Sequence, residues 1–424
     1  MTPRVQLLTH SYWPERTAPQ RRWERLVGSL RQDGWAVDVV TPAVNSHHTP
    51  EEVRGQGRFR LRATPGPTGE RLHRTPYILL QNSRAGRFAS DLASAVLMVP
   101  RALGAPKPDL VVATVPALPT ICAGWLVSRA RRVPLVVDMR DAWPELAREA
   151  GVKAGPLGTL MEAAVVSVQR RAELVVTVTE GFGQRLRERG VSRVETISNG
   201  VALDQVPQLE HRTRKPGELR IAYLGNHGES QALERLITAV ALIPRTRESS
   251  AEQDHARSGG LDVQLRLVGS GTQKDQLRQV AEESGALDSG AVEFFDPVHG
   301  EEIWEHYRWA DTALVSLRTD WASFAWTVPS KTFELLGLGK HITAAVTGEA
   351  AWVLGHARNV SFLSGDSEAI AATLSELAAD PDSTPVDATG RDWVAEYADL
   401  PGLGRRYAAL LRTLLREQGR GAGR

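Results

Sequence analysis

Leu219 to Ile243 reads LRIAYLGNHGESQALERLITAVALI, and the succession of residue types in it decides the fold. Branched and aromatic residues from Leu219 to Gly225 predict a strand. Gly225 to Gly228 form a glycine-rich turn, and Ala232 to Ile243 then bring apolar residues back at helical spacing. A strand that feeds a helix through a short turn is half of a βαβ unit, so its sheet is parallel and covered on both faces. The rhythm continues downstream with strand Val263 to Val268, helix Gln273 to Ser284, strand Val292 to Phe295, helix Glu301 to Ala310 and strand Thr312 to Leu317. Upstream of a polar join at Leu209 to Glu218 it is already running. Strands are expected at Arg4 to Thr9, Ala36 to Thr41, Leu110 to Thr114, Leu135 to Met139, Val175 to Thr179 and Val194 to Ile197, with helices at Gln20 to Gly34 and Gly181 to Arg189. The fold class is therefore α/β, with two doubly wound Rossmann-like domains facing across a cleft. Ligands of such sheets sit beyond the carboxyl ends of the strands.

The chain has 424 residues, too many for one hydrophobic core and suited to two domains. No apolar run reaches the roughly 18 residues of a membrane span. The N-terminal MTPRVQLLTHSYWPE has too short an apolar stretch for a signal peptide and reads as a first strand. Cys122 is the single cysteine, so an internal disulfide and a cysteine metal cluster are excluded, and its apolar neighbours suggest a buried structural thiol. Charge is divided unevenly. Residues 1–205 carry 28 Lys and Arg against 19 Asp and Glu, a balance of +9, and the remainder carries 23 against 31, a balance of −8. A basic first half suits an anionic membrane leaflet or a lipid phosphate better than nucleic acid, because stacking aromatics are not interleaved with the arginines. A solvated arginine-rich surface explains the same balance.

Two stretches read as insertions. Asn45 to Thr75 is polar and arginine-rich, and Arg245 to Gly260 has almost nothing to bury and is expected to be disordered. Ala89 to Gly104, ASDLASAVLMVPRALG, is apolar with basic flanks: a core helix beside the sheet, or a segment lying on a bilayer surface.

The chemistry concentrates in Ser323 to Ala345, SFAWTVPSKTFELLGLGKHITAA. Pro329 stops what precedes, Ser330 is expected as N-cap, and Lys331 to Leu338 continue as a helix that Gly337 and Gly339 end. An Ile342-centred strand follows. Unpaired N–H groups at that helix start, with the Lys331 cation, make a seat for a phosphate. Glu334, one turn on, is placed to reach a ribose diol, which together describes a nucleotide pocket. The turns YLGNHG and LVGSG (Leu267 to Gly271) would let backbone N–H groups approach a diphosphate, although each alone is as readily a plain tight turn. In the first half, VVDMRDAWPE sets Asp138, Arg140 and Asp141 at the end of an apolar strand, either toward the cleft or as a structural pair around the turn. Trp143 is a stacking platform or packing.

At these residues the sequence resembles the family-4 retaining glycosyltransferases of GT-B fold. Within them it is most similar to the bacterial surface-polysaccharide branch that includes L-fucosamine transferases. The resemblance covers nearly the whole chain. It rests on THSYWPERTAPQRRWERLVGSLRQDGWAVDVVT, VVDMRDAWPE, VTVTEGFGQRL with ISNGV, YLGNHGESQALERL, LVGSG and VPSKTFELLGLGK. It implies an acceptor-side domain over residues 1–207, a donor domain over 208–395, and a C-terminal helix over 396–424 that packs back on the first domain before a frayed tail.

Residue by residue, the resemblance implies that Glu334 is the second glutamate of the Glu-x7-Glu motif, on the donor ribose. Ser330 and Lys331 would receive the diphosphate, Gly225 to Gly228 form the loop after the first donor-domain strand, and Val298 lies by the base. Three departures from the family pattern involve four positions. Trp326 stands where the first glutamate of the motif would be, and Asn226 and Gln231 stand where an arginine and a lysine are usual. His341 replaces a proline. Lys331, Arg318, or Arg21 and Arg22 would have to supply the missing charge.

The activity implied is retaining transfer from a nucleoside diphosphate sugar, a UDP-sugar foremost, to a lipid-linked or saccharide hydroxyl. Asp141 and Arg140 would lie near the acceptor and the reacting carbon, and Asp138 and Trp143 on the acceptor side. No metal or other cofactor and no nucleic-acid partner is expected. The location implied is cytoplasmic, at the inner face of the membrane. A nucleotide-sugar 2-epimerase and a non-catalytic subunit of a polysaccharide assembly complex remain as alternatives.

Overall fold

The computed structural model describes residues 2–15, 17–44, 51–78, 84–140, 149, 155–245 and 260–421. Asp141 and Trp143 lie outside the described residues, as do 45–50 of the first insertion and nearly all of the second.

The chain divides into two compact units, residues 1–199 with 399–424, and residues 200–398. In the first unit, eight strands form one sheet: β1 (Arg4–Leu8), β2 (Ala36–Pro42), β3 (Thr64–Pro65), β4 (Arg71–Thr75), β5 (Leu110–Thr114), β6 (Leu135–Met139), β7 (Leu174–Thr177) and β8 (Val194–Thr196). Their order is β3-β4-β2-β1-β5-β6-β7-β8, and every neighbouring pair is parallel except β3 with β4. β5, β6 and β7 are buried throughout, as runs such as LVVAT and LVVT require of strands covered on both faces.

The helices of this unit are α1 (Ala18–Gln32), α2 (Glu51–Arg54), α3 (Arg84–Leu103), α4 (Leu118–Arg131), α5 (Pro156–Arg171) and α6 (Glu180–Glu188). Thr17 caps α1, its hydroxyl accepting from the Gln20 N–H at 3.3 Å. In the second unit, β9 (Glu218–Leu224), α7 (Leu233–Leu242), β10 (Asp262–Val268), α8 (Lys274–Glu283), β11 (Val292–Phe295), α9 (Glu301–Trp309), β12 (Thr312–Ser316), α10 (Lys331–Leu338), β13 (His341–Ala345), α11 (Gly348–Leu354), β14 (Val360–Phe362), α12 (Ser367–Ala379) and α13 (Thr389–Tyr397) follow in turn. Six parallel strands order as β11-β10-β9-β12-β13-β14. The order reverses between β1 and β5 in the first sheet and between β9 and β12 in the second, which marks the ligand-binding crevice of each. Among the described residues no helix is long and apolar enough to cross a membrane.

The C-terminal helix α14 (Leu400–Gly421) belongs to the first unit. Leu403, Tyr407, Ala408, Leu411 and Leu414 join the core formed with Trp23, Leu26 and Leu30 of α1. Tyr407 meets Trp23 edge-on at 5.8 Å, and Arg412 pairs with Asp33 at 2.6 Å.

Two expectations need correction. The stretch Asn45 to Thr75 is not wholly an insertion, because β4 extends the sheet beside β2. Its polar sequence RLHRT concealed a strand whose Arg71 and His73 bond the fully buried Asp38 at 2.8 and 2.7 Å, joined there by Arg4 at 2.8 Å. Burial alone would raise the Asp38 pKa, but the bonds from His73, Arg71 and Arg4 hold it down at about 2. Cys122 is half-buried, and its surroundings push the thiol pKa up, away from nucleophile chemistry.

Candidate active site

At the switch point of the second sheet, β9 ends in Tyr223 and Leu224 and the chain turns at Gly225, whose φ of 152° favours glycine. The Tyr223 hydroxyl donates to the Asn226 carbonyl at 2.8 Å and so holds the turn. Asn226 Nδ2 donates to Gln231 Oε1 at 3.4 Å, and the same oxygen accepts from the Gly228 N–H at 3.1 Å. The two positions at which the resemblance implies cations thus hold amides joined by one hydrogen bond. Ser316, at the end of β12, fastens the arrangement by donating to the Gln231 carbonyl at 2.6 Å.

The turn after β10 packs directly into this one. The His227 N–H donates to the Ser270 carbonyl at 2.8 Å, and the Gln273 N–H to the His227 carbonyl at 2.9 Å. A Cβ at Gly269 would come 2.0 Å from the Gly225 carbonyl oxygen, and one at Gly271 2.4 Å from that of His227, so both positions require glycine. The His227 ring is fully buried with no hydrogen-bond partner on either nitrogen. Burial, with Lys274 and Lys331 nearby, pushes its pKa down to about 4, which keeps the imidazole neutral.

The start of α10 completes the constellation. The Lys331 ammonium donates to the Leu224 carbonyl and lies 3.7 Å from the centroid of the Tyr223 ring. It presses so closely on Gly225 that a Cβ there would sit 2.4 Å from Nζ. Burial pulls the Lys331 pKa down to about 7, against the opposing pull of Glu334 one turn along the helix. Ser330 stands at the N-cap but with helical φ and ψ of −58° and −32°. Its exposed hydroxyl makes no capping bond, contrary to expectation, and the Thr332 N–H turns to the Pro329 carbonyl at 3.0 Å instead.

Arg318 follows β12, bonds Asp320 at 2.9 and 2.7 Å and lies 3.9 Å from Glu229. With Glu229, Glu234, Gln273, Gln276 and Leu277 it lines a cavity of about 170 Å³ beside the two turns. Val298 lies in the loop after β11, partly exposed. Trp326 is in a 3-10 turn, Ala322–Trp326, ahead of α10. His341 opens β13 as a structural residue. It is buried, hydrogen-bonded to Thr312 at 2.8 Å and Ser361 at 3.1 Å, and burial, then Arg214, hold its pKa at about 4.

In the first unit the expected residues divide. Arg21 is exposed on α1. Arg22 is buried, donating to the carbonyls of Ile197 at 2.9 Å and Ser198 at 2.5 Å, and it lies 3.5 Å from Asp138, also buried, whose Oδ1 accepts from the Thr114 hydroxyl at 3.3 Å. Arg22 and Asp138 therefore tie α1 to the carboxyl end of β6 and to the segment after β8. Arg140 is part-exposed just beyond β6.

Sequence reasoning missed a further pair. His10, in the loop after β1, lies 3.4 Å from Asp91 of α3, and Tyr77 meets its ring edge-on at 6.2 Å. Only the strand-end position of His10 signalled it. Among the described residues, no group of three His, Cys, Asp or Glu side chains is placed to hold a metal ion.

Two tandem units, each with its crevice at a switch point and the second with a lysine against paired glycine turns, define a doubly wound α/β architecture. Residues 17–200 match the glycosyl transferase 4-like domain and residues 218–380 the glycosyl transferases group 1 domain. The chain belongs to the glycosyltransferases built from these two domains, of family 4 and GT-B fold. No curated protein matches it in sequence. Among solved structures it is similar to a sucrose-phosphate synthase from Thermosynechococcus elongatus, with a TM-score of 0.71 at 16% identity over 98% of this chain and 100% of that one. It is also similar to HepE of Anabaena in complex with UDP and glucose, with a TM-score of 0.67 at 15% identity over 97% and 100%. A putative UDP-N-acetylglucosamine 2-epimerase from Listeria monocytogenes gives 0.57 at 13% identity over 98% of each chain.

Proposed function

We propose that the protein is a retaining glycosyltransferase that moves a sugar from a UDP-sugar to a hydroxyl of a lipid-linked saccharide. The reading places it at the cytoplasmic face of the membrane in cell-surface polysaccharide synthesis, within the L-fucosamine transferase branch. The observation that carries the donor side is the meeting of Lys331 with the interlocked turns at Gly225 and Gly269, a cation and approachable backbone at one switch point. HepE, which is similar in fold, was solved with UDP and with UDP-glucose.

In this reading Lys331 leaves the Leu224 carbonyl for the diphosphate, aided by the Ser330 hydroxyl and the N–H groups of α10. Glu334 accepts from the ribose diol, the backbone at Val298 meets the base, and Gly225 lets the diphosphate approach. Asn226 and Gln231 offer neutral amides, and Arg318 adds charge at the rim. On the acceptor side Arg21 and Trp143 contact the saccharide, Arg22 and Asp138 hold the strand end that presents them, and Arg140 and Asp141 lie by the acceptor hydroxyl. The bond from the anomeric carbon to the diphosphate oxygen breaks while that oxygen takes the acceptor's proton, and the new glycosidic bond forms on the same face. The protein orients the partners and stabilises the departing charge.

A thermal-shift panel of nucleotide sugars tests the reading, since a donor at 100 times its Kd adds about 2.7 kcal/mol of stability. Stabilisation by UDP-sugars that Glu334→Ala weakens at least tenfold is expected, with Glu334→Ala still binding inorganic diphosphate. No response to UDP, GDP or ADP sugars overturns it. The 2-epimerase alternative rests on the Listeria similarity and would release a 2-epimerised sugar without acceptor. A non-catalytic role, suggested by Trp326, would leave polysaccharide intact in a Glu334→Ala strain.

A further inference from the structure

Phe333, Trp352, His356, Trp393 and Tyr397 form one array of rings at α10, α11 and α13 of the second unit. Of these only Phe333 belongs to the core. Trp393 lies parallel to it, with 6.5 Å between centroids and 6° between planes, and the His356 ring stacks on Trp393 at 4.9 Å. Trp352 meets His356 and Trp393 edge-on at 4.6 and 6.4 Å, and Tyr397, one helical turn beyond Trp393, leans on it at 5.6 Å. The inner rings are thus held by their neighbours, while Trp352 is 62% and Tyr397 51% exposed. α11 itself is firmly seated, since a Cβ at Gly348 would fall 2.0 Å from the Ala325 carbonyl oxygen. Large rings left in water forgo the stabilisation of burial, and a contiguous, braced group of them marks a contact surface.

Charge narrows what that surface can take. The charged residues of α11 and α13 are Glu349, Arg391, Asp392 and Glu396. The Arg391 guanidinium turns inward to the carbonyls of Val206 at 2.9 Å and Leu203 at 3.2 Å. Arg358, just past His356, helps to hold the Asp387 pKa down, so its charge is answered. Carboxylates therefore prevail, and phosphates of lipid headgroups or nucleic acid are repelled. A neutral pyranose fits: its C–H face can lie on a ring while its hydroxyls donate to Asp392 and Glu396, both exposed at the rim.

We infer that Trp352 and Tyr397 form a platform that holds a neutral saccharide chain by stacking, a binding site that shares no residue with the glycine turns at Lys331. Such a platform keeps a growing saccharide at hand between transfers. The inference goes beyond the donor reading and rests on it for that purpose, but not for its measurement. A second copy of the chain is the poorer occupant, because a twofold contact would set these carboxylates against their own equivalents.

Native electrophoresis of the full chain through gels carrying dextran, galactomannan or β-glucan, with polygalacturonate as the anionic comparison, tests it. Retardation by at least one neutral polymer is expected, and none by polygalacturonate. Trp352→Ala with Tyr397→Ala should raise the dissociation constant read from the retardation by about tenfold or more, and Trp352→Phe, which keeps a ring face, should retain most of the binding. Leu242→Ser, which removes a 50%-exposed apolar side chain at the end of α7, should change nothing. Absence of retardation by every neutral polymer, retardation that the double variant keeps, equal retardation by polygalacturonate, or a dimer that the double variant dissociates would each overturn the inference. UDP-sugar stabilisation of the same variants, expected to be unchanged, keeps a failure of the platform separate from a failure of the donor reading.

Discussion

Lys331 carries the sharpest consequence at the scale of one residue. Held between the Leu224 carbonyl and the Tyr223 ring, its ammonium has been pulled down to a pKa of about 7, so near neutrality it is poised between charged and neutral forms. A bound diphosphate favours the charged form and raises that pKa. Below pH 7 the cation is already present and affinity for a UDP-sugar should be flat. Above it, binding must take up a proton, and affinity should fall by up to about tenfold per pH unit. Titration calorimetry between about pH 6 and 9, in buffers of different ionisation enthalpy, reads the proton directly. Lys331→Arg, charged throughout, should abolish the slope, and Lys331→Met should lower affinity about 10- to 100-fold at neutral pH. A slope that persists in the arginine variant would assign the proton to another group. The place of Lys331 and Glu334 in the first turn of a helix was legible in the sequence because Pro329 marks where that helix can start. The burial of Arg22 was not, since a second arginine in a row reads as surface until the carbonyls of Ile197 and Ser198 are known to face it.

At the scale of elements, the two glycine turns behave as one body. Gly269 is needed for two separable reasons: its φ of 146°, and the Gly225 carbonyl 2.0 Å from where a Cβ would be. Gly285 has a positive φ of 72° as well, but nothing lies within 4 Å. Gly285→Ala should therefore lower the unfolding free energy by about 1 kcal/mol from backbone strain alone, whereas Gly269→Ala should cost about 3 kcal/mol or more and loosen both turns. Urea midpoints decide it; equal losses would mean that the contact between turns carries no energy. The strands around these turns were legible because branched and aromatic residues recur in them, alternating with polar ones in β10. β4 was not, because its inward charges answer Asp38 and so erase the alternation by which a strand is recognised. The strand-end position of His10 was the one sign of the His10–Asp91 pair, because its partner lies on a helix far along the chain.

For the molecule as a whole, the first unit is discontinuous, running to residue 199 and resuming at 399. Leu403, Leu411 and Leu414 are each almost fully buried, and losing such contacts removes about 1.5–3 kcal/mol apiece. A chain ending at residue 398 should keep a folded second unit and lose the cooperative unfolding transition of the first, measured by calorimetry; a first unit that melts unchanged would refute the dependence. The tandem α/β architecture was readable from the repeated strand-to-helix rhythm, while the return of α14 to the first core left no local mark, since amphipathic periodicity tells that a helix has a partner and not which one. That return also orders events at the ribosome. Residues 200–398 emerge together and can close their sheet while the first unit still waits for α14, so the half translated first is finished after the second, and its Trp23 surface stays open to chaperones until α14 has emerged.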